Sequence, residues 1–242
     1  MRRGCAATVI GLAGPDGAGK TAASRALVAL VRQQGGWAAA IHAYGCVVCR
    51  RTGGHAATGG RRASPGRPVA RLWLGDRLAG AHAVVDALEL RLRVSVATRS
   101  ARAHAPGARG RAGPQRAPAL VVTDRTPLDG LVKFDPRPGS IAARAFAAQL
   151  RRYRLLAILD APVAVLIARD PSSTIAELTR SREGFARHGR SLARVLSIDT
   201  GALTPVEVAV RVLAAASAPL AGPAPGTADA AAAHATDGRA GA

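Results

Sequence analysis

Ala7-Thr8-Val9-Ile10-Gly11-Leu12, followed by Gly14-Pro15-Asp16-Gly17-Ala18-Gly19-Lys20-Thr21, decides how this chain folds. The first run is short and apolar, which predicts a buried β-strand. The second matches G-x-x-x-x-G-K-[ST] in full. From Lys20 to Gln34 the apolar residues Ala23, Leu27, Leu30 and Val31 recur at helical spacing, and Gly35-Gly36 closes that helix. Strand, glycine-rich loop and helix in this order form the context that the motif requires. The glycines let backbone N–H groups turn inward around a phosphate, and the helix N-terminus adds its dipole. Gly14, Asp16, Gly17, Ala18, Gly19, Lys20 and Thr21 are therefore the expected nucleotide-binding residues. Lys20 can reach the β- and γ-phosphates, and Thr21 can offer its hydroxyl to Mg²⁺. The motif points to a bound nucleoside triphosphate, ATP, and leaves the reaction open.

The same alternation continues outward. Trp37 to Tyr44, Ala119 to Thr123, Leu155 to Leu159 and Val195 to Ile198 read as further strands. Helical spacing predicts helices over 71–96, 141–153 and 162–168. Thr174 with Glu177 and Thr204 with Glu207 form capping boxes that start two more, the second with Pro205 in its first turn. Strands alternating with helices predict an α/β fold, a five-stranded parallel sheet flanked by helices on both faces. Residues 53–70 and 98–118, rich in Gly, Pro, Ala and Arg, read as basic mobile loops, and 214–242 as an Ala/Gly/Pro-rich tail. One domain, residues 1–213, is expected to hold the rest. No apolar run reaches the ~18–20 residues of a membrane helix. Met1-Arg2-Arg3 before an apolar run resembles a signal peptide, but no small-residue cleavage site follows, so the run is read as the first strand.

The 242 residues carry a formal charge of +19, yet lysine occurs only at Lys20 and Lys133, so nearly all the cations are arginine. Between Asp16 and Asp76 there is no acid, while Arg25, Arg32, Arg50, Arg51, Arg61, Arg62, Arg67 and Arg71 all fall there. Such a chain adheres to polyanions through phosphate contacts, but an arginine- and alanine-rich composition arises without that purpose, and specific nucleic-acid binding is not expected. Three cysteines do not make a disulfide framework, and a reducing cytoplasm is the expected compartment.

Three weaker constellations stand outside the loop. The third strand ends in Thr123-Asp124-Arg125. Asp124 can hold Mg²⁺ there, with Thr21, and Arg125 can grip a second phosphate bidentately; alternatively Asp124 caps a turn and Arg125 is solvated. Arg169, Arg180 and Arg182 surround the next helices and can meet charge on a moving phosphoryl group, although Arg180 and Arg182, two apart, cannot both face one ligand. Cys46-Val47-Val48-Cys49, with His42 before it and His55 after it, offers zinc ligands or merely two small residues at a strand end; the second reading is preferred. Asp129 is read as a turn or cap residue beside Pro127, or as a group facing the site.

The residues together resemble the thymidylate kinases and their relatives. The resemblance rests on the loop with Asp16 inside it, Asp124-Arg125 after a hydrophobic strand, Leu159-Asp160-Ala161-Pro162 before an apolar helix, Arg169, Glu177 to Phe185, Ser197-Ile198-Asp199 and Thr204-Pro205-Val206-Glu207. It spans roughly residues 6–213 and is sparse in the middle. It implies a three-layer P-loop kinase fold, with ATP and Mg²⁺ used to phosphorylate a small anionic acceptor. Asp16 would touch an acceptor hydroxyl, Arg125 the acceptor phosphate, and Arg169 the transferring group from a lid; Arg50-Arg51-Thr52-Gly53-Gly54 partly resembles the family's basic acceptor segment. Lys20, Asp124, Arg125 and Arg169 are thus the expected catalytic residues, and a second copy of the chain is a candidate partner. The chain departs from the family at Thr126-Pro127-Leu128-Asp129, where an aromatic residue usually follows Asp-Arg, and in the extra basic stretch 98–118. A nucleotide-binding regulator or assembly ATPase without small-molecule kinase activity is the alternative. A nucleic-acid-associated protein using the two arginine loops is the third reading.

Overall fold

Continuous apolar runs drive the sheet, because a strand buried on both faces needs apolar side chains at every position. The structure, a computed structural model, describes residues 7–42, 70–104 and 119–218, with the backbone alone over 70–80 and at 82. The elements run β1 Thr8–Ala13, α1 Lys20–Gln33, β2 Trp37–His42, α2 Ala70–His104, β3 Ala119–Asp124, α3 Pro127–Phe134, α4 Ile141–Leu150, β4 Leu155–Asp160, α5 Val163–Arg169, α6 Ile175–Gly189, β5 Val195–Asp199 and α7 Pro205–Ser217. The five strands lie in the order β2-β3-β1-β4-β5, and every pairing is parallel. This is the expected α/β architecture. The order reverses around β1, so the loops leaving β1 and β3 open into one crevice at the carboxyl ends of the strands.

The sheet sorts its side chains by parity. Ile10, Leu12, Leu120, Val122, Leu155, Ala157 and Leu159 face α1, α5 and α7. Val9, Ala13, Val121, Leu156 and Ile158 face the other way, towards Leu90 and Val94 of α2, Leu128 of α3 and Phe185 of α6. With few aromatics, the helices close on small residues. Ala83 and Ala87 of α2 meet Ala142 and Phe146 of α4 in a third cluster, where Phe146 stacks on Phe134 at 6.2 Å between centroids. Both capping boxes read from the sequence are present, at Thr174 and Thr204.

Three stretches differ from the sequence reading. The basic loop expected at 98–118 begins as helix, because α2 continues to His104. Residues 97–104 contain no glycine or proline, and Ala101 is fully buried, so tertiary burial extends the helix past its polar composition. The turn expected at Pro127 is the start of α3: Thr126 caps it, proline occupies the first turn where no N–H is needed, and Asp129 closes a capping box. The last helix ends at Ser217, so residues 214–217 of the expected tail are helical. Residues 53–69, 105–118 and 219–242 of the expected loops and tail lie outside the described residues. Among the described residues, no helix is long and apolar enough to cross a membrane.

Phe146 is fully buried and is the one large side chain among the buried residues of its cluster, the others being alanines. Phe146→Ala is expected to cost about 3–5 kcal/mol of stability. A urea titration should therefore show a lower midpoint with an unchanged slope; a shift under 1 kcal/mol would mean that α2 and α4 repack freely.

Candidate functional site

The glycine-rich loop leaves β1 and crosses the end of β4. At Gly14 (φ +142°) an added Cβ would run into the Leu159 carbonyl oxygen, so only glycine lets the backbone pass. At Gly19 (φ +84°) nothing lies within 4 Å; here the left-handed conformation is what matters, because it caps α1 and turns the loop back towards the crevice. Lys20 is buried, and its Nζ donates to the Gly14 and Pro15 carbonyl oxygens, both at 2.7 Å. Burial pulls the Lys20 ammonium below its ordinary value and Arg125 adds to this, while Asp129 and Asp16 act against it. A buried cation held only by loop carbonyls and by Asp16, 3.8 Å away, is a strong attractor for a phosphate.

β3 delivers the other half. In the β1–β3 register Leu12 stands opposite Asp124, and the Arg125 N–H donates to the Leu12 carbonyl at 3.0 Å. Asp124 is almost fully buried, and its Oδ2 accepts from the Thr21 hydroxyl at 2.5 Å. Arg125 takes a positive φ of 79°, unusual for a side chain of its size. Its guanidinium reaches back over the loop to Asp16 Oδ1 at 2.6 Å. Burial would raise the Asp16 carboxyl, but the charges of Arg125 and Lys20 outweigh it and hold the group below its ordinary value. The sequence-expected residues Asp16, Lys20, Thr21, Asp124 and Arg125 therefore share one crevice.

Asp129 joins them. Its Oδ2 accepts from the Thr126 N–H at 2.7 Å and from the Thr126 hydroxyl at 2.9 Å, while Oδ1 is buried without a hydrogen-bond partner. Burial pushes its carboxyl above the usual range, against the opposing charges of Lys20 and Arg125. Both readings offered for Asp129 thus hold at once, since it caps α3 and feels the site cations.

Arg169 is placed differently from a free lid arginine. It ends α5, and its guanidinium donates to the Thr200 and Gly201 carbonyl oxygens at 3.0 and 3.3 Å. Thr200 in turn touches the Ala18 carbonyl at 3.2 Å, so Arg169 braces the flank of the phosphate loop through the β5–α7 turn. Arg182 holds Asp160 bidentately, with contacts of 2.8 to 3.0 Å, while Arg180 is exposed. Pro15, Ile158, Asp160, Arg182, Phe185 and Ser197 line a cleft of about 300 Å³ beside the loop. Cys46, Cys49, His55 and the Arg50–Gly54 segment lie outside the described residues. His42 does not join a zinc cluster in the described structure; it stands at the end of β2 with Nδ1 3.1 Å from Asp124 Oδ2. Among the described residues no three His, Cys, Asp or Glu side chains are grouped as a metal cage.

The donor set fits a magnesium-bound nucleoside triphosphate. Mg²⁺ takes hard oxygen ligands and usually keeps waters and substrate phosphates rather than an all-protein cage. A hydroxyl and a carboxylate, Thr21 and Asp124, meet beside a glycine cradle and a buried lysine. Asp129 is offered by the sequence as either a turn residue or a group facing the site, whereas His42 does not stand out as part of this set. His42 becomes the neighbour of Asp124 only through the pairing of β2 with β3.

No family model matches the sequence, and no curated protein matches it. Among solved structures the chain is similar to a thymidylate kinase from Ehrlichia chaffeensis, with a TM-score of 0.50 and 13% identity, over 86% of this chain and 97% of that one. At that identity the likeness is one of fold.

The raised Asp129 carboxyl has a consequence for pH. A carboxyl whose folded value lies above its unfolded one favours the native state when protonated, and that contribution is lost as pH rises through the folded value. Asp129→Asn keeps an oxygen for the Thr126 N–H and removes the ionisation. The variant is expected to gain stability relative to wild type as pH rises from 4 to 8. Melting temperatures across that range check this; a difference that is flat or falls with pH would show that Asp129 is not held in its neutral form by burial.

Proposed function

We propose that this protein is an ATP- and Mg²⁺-dependent phosphotransferase of thymidylate kinase-like type, acting on a small anionic acceptor through a single domain, residues 1–213. The observation that carries the reading is the convergence of Lys20, the Thr21–Asp124 pair and the Asp16–Arg125 pair in one crevice at the point where the strand order reverses. The likeness of fold to a thymidylate kinase supports it. Lys20 and the loop amides hold the donor phosphates. Thr21 and Asp124 are the residues that would hold Mg²⁺, which when bound neutralises charge on the donor phosphates. Arg125 takes the acceptor's anionic group once Asp16 releases it, and Asp16 is then free to accept from an acceptor hydroxyl. Phosphoryl transfer asks for little covalent chemistry from the protein, so positioning and preorganised charge do the work. In this reading Arg169 supports the loop and the β5–α7 turn, and meets the transferring group only if it leaves Thr200.

One observation favours a second reading. Arg125 is already paired with Asp16, which suits a nucleotide-binding regulator or assembly ATPase with no small acceptor. The two readings separate on Arg125. Lys20→Ala should abolish ATP binding in either case, seen as loss of the ATP-induced rise in melting temperature. Arg125→Ala removes a charge-assisted contact to the acceptor worth about 1.5–3 kcal/mol. The expected outcome is a roughly 10- to 150-fold lower acceptor kcat/KM, with ATP binding nearly unchanged. Basal hydrolysis unaffected by Arg125→Ala and by every nucleoside monophosphate would favour the regulator. A loss of ATP binding as deep as that of Lys20→Ala would assign Arg125 to the donor phosphates.

A further inference from the structure

We propose that His42 is a positioning residue for the magnesium-binding carboxylate: it turns Asp124 so that its free oxygen faces the nucleotide. The inference rests on the reading of the site as Mg²⁺-dependent. In the parallel register of β2 and β3, His42 stands directly opposite Asp124, both at the carboxyl ends of their strands. Its Nδ1 lies 3.1 Å from Asp124 Oδ2. A carboxylate only accepts, so the ring donates from Nδ1. The Thr21 hydroxyl donates to the same oxygen at 2.5 Å. Two donors from two different elements, α1 and β2, thus converge on Oδ2 and fix the rotation of the carboxylate about its last bond. Oδ1 remains as the oxygen for a metal-bound water.

The histidine is itself held. Its backbone carbonyl accepts from Arg93 Nη1 at 2.8 Å, and Arg93 pairs with Glu89 one turn earlier on α2. This clamp fixes the end of β2 at its last described residue. The imidazole is 59% exposed while Asp124 is 4% exposed. A histidine so open to water has no need of a protein partner, so its bond to the most buried carboxylate bordering the phosphate loop is not a matter of burying the ring. Among the residues of β2 it is the only one with a side chain able to donate at that end of the strand, since Ala38, Ala39, Ala40 and Ile41 precede it.

Partners that orient a metal ligand typically matter by 10- to 100-fold in metal affinity when removed. The experiment measures Mn²⁺ binding to the full-length protein with ATP by electron paramagnetic resonance, without acceptor, alongside ATP binding in EDTA by thermal shift. His42→Ala is expected to weaken Mn²⁺ binding about 10- to 100-fold in the ternary complex, with metal-free ATP binding unchanged. Asn places an amide N–H where Nδ1 stands, and Gln places one nearer to Nε2. His42→Asn is therefore expected to restore metal binding and His42→Gln to leave it weak. Asn and Gln behaving alike, or an alanine variant that loses only thermal stability, would overturn the proposal. If wild type with ATP binds no Mn²⁺, the magnesium-dependent reading fails and the role of His42 with it. If wild type binds and His42→Ala binds equally well, the role of His42 alone fails.

Discussion

The parallel pairing of β1 with β3 is the constraint on which the rest of the molecule depends. It sets Leu12 beside Asp124 and carries the Arg125 N–H onto the Leu12 carbonyl. Thr21, at the start of α1, then closes onto Asp124. Every charged group of the crevice hangs from that arrangement: the loop that β1 releases bears Asp16 and Lys20, and the turn that β3 releases bears Arg125 and Asp129. Gly11 shows how tightly the two halves are fitted. A Cβ there would lie within 2.6–2.9 Å of Thr126, Leu156 and Tyr153, so the strand under the phosphate loop must thin to glycine for the α3 cap to pack against it.

The crevice gathers opposite charges, with Lys20 and Asp124 buried and Asp16 about half exposed. Lys20 and Arg125 face Asp16, Asp124 and Asp129, and burial pushes Asp129 towards its neutral form. Asp16 stands between the two cations, 2.6 Å from Arg125 and 3.8 Å from Lys20. An anion entering the crevice meets the Arg125 guanidinium only where Asp16 gives it up. This is the electrostatic reason for giving the Asp16–Arg125 pair a part in the proposed function.

Much of the large positive charge has a structural use. Arg32 donates to the Ala38 carbonyl and ties α1 to β2. Arg154 donates to the Ala216 and Ala218 carbonyls and anchors the end of α7. Arg93 fixes the end of β2, and Arg169 gathers the carbonyls of the β5–α7 turn. A planar guanidinium with several donors can satisfy two carbonyls at once, which suits the frayed ends of helices and strands. In a chain with only 3% aromatic residues, these clasps join elements that larger side chains join elsewhere.

What the sequence determined by itself is local. Short continuous apolar runs placed the strands, helical spacing and capping boxes placed most helices, and the spacing of glycines before Lys20-Thr21 located the glycine-rich loop. Each follows from interactions within a few residues of chain. What only the tertiary structure decided is who stands next to whom. The contact of Asp16 with Arg125 spans 109 positions and that of His42 with Asp124 spans 82, and both exist only because β3 inserts between β1 and β2. Asp129 reads as a turn or site residue from the sequence, and only the fold shows it as the buried capping-box residue of α3, while Arg169 reads as a lid residue and is found engaged by the β5–α7 turn. Residues 98–104 read as loop by composition, yet Ala101 is buried and the helix continues. Local propensity is a weak term that burial overrides, and no pattern along a chain encodes the order in which its strands lie side by side.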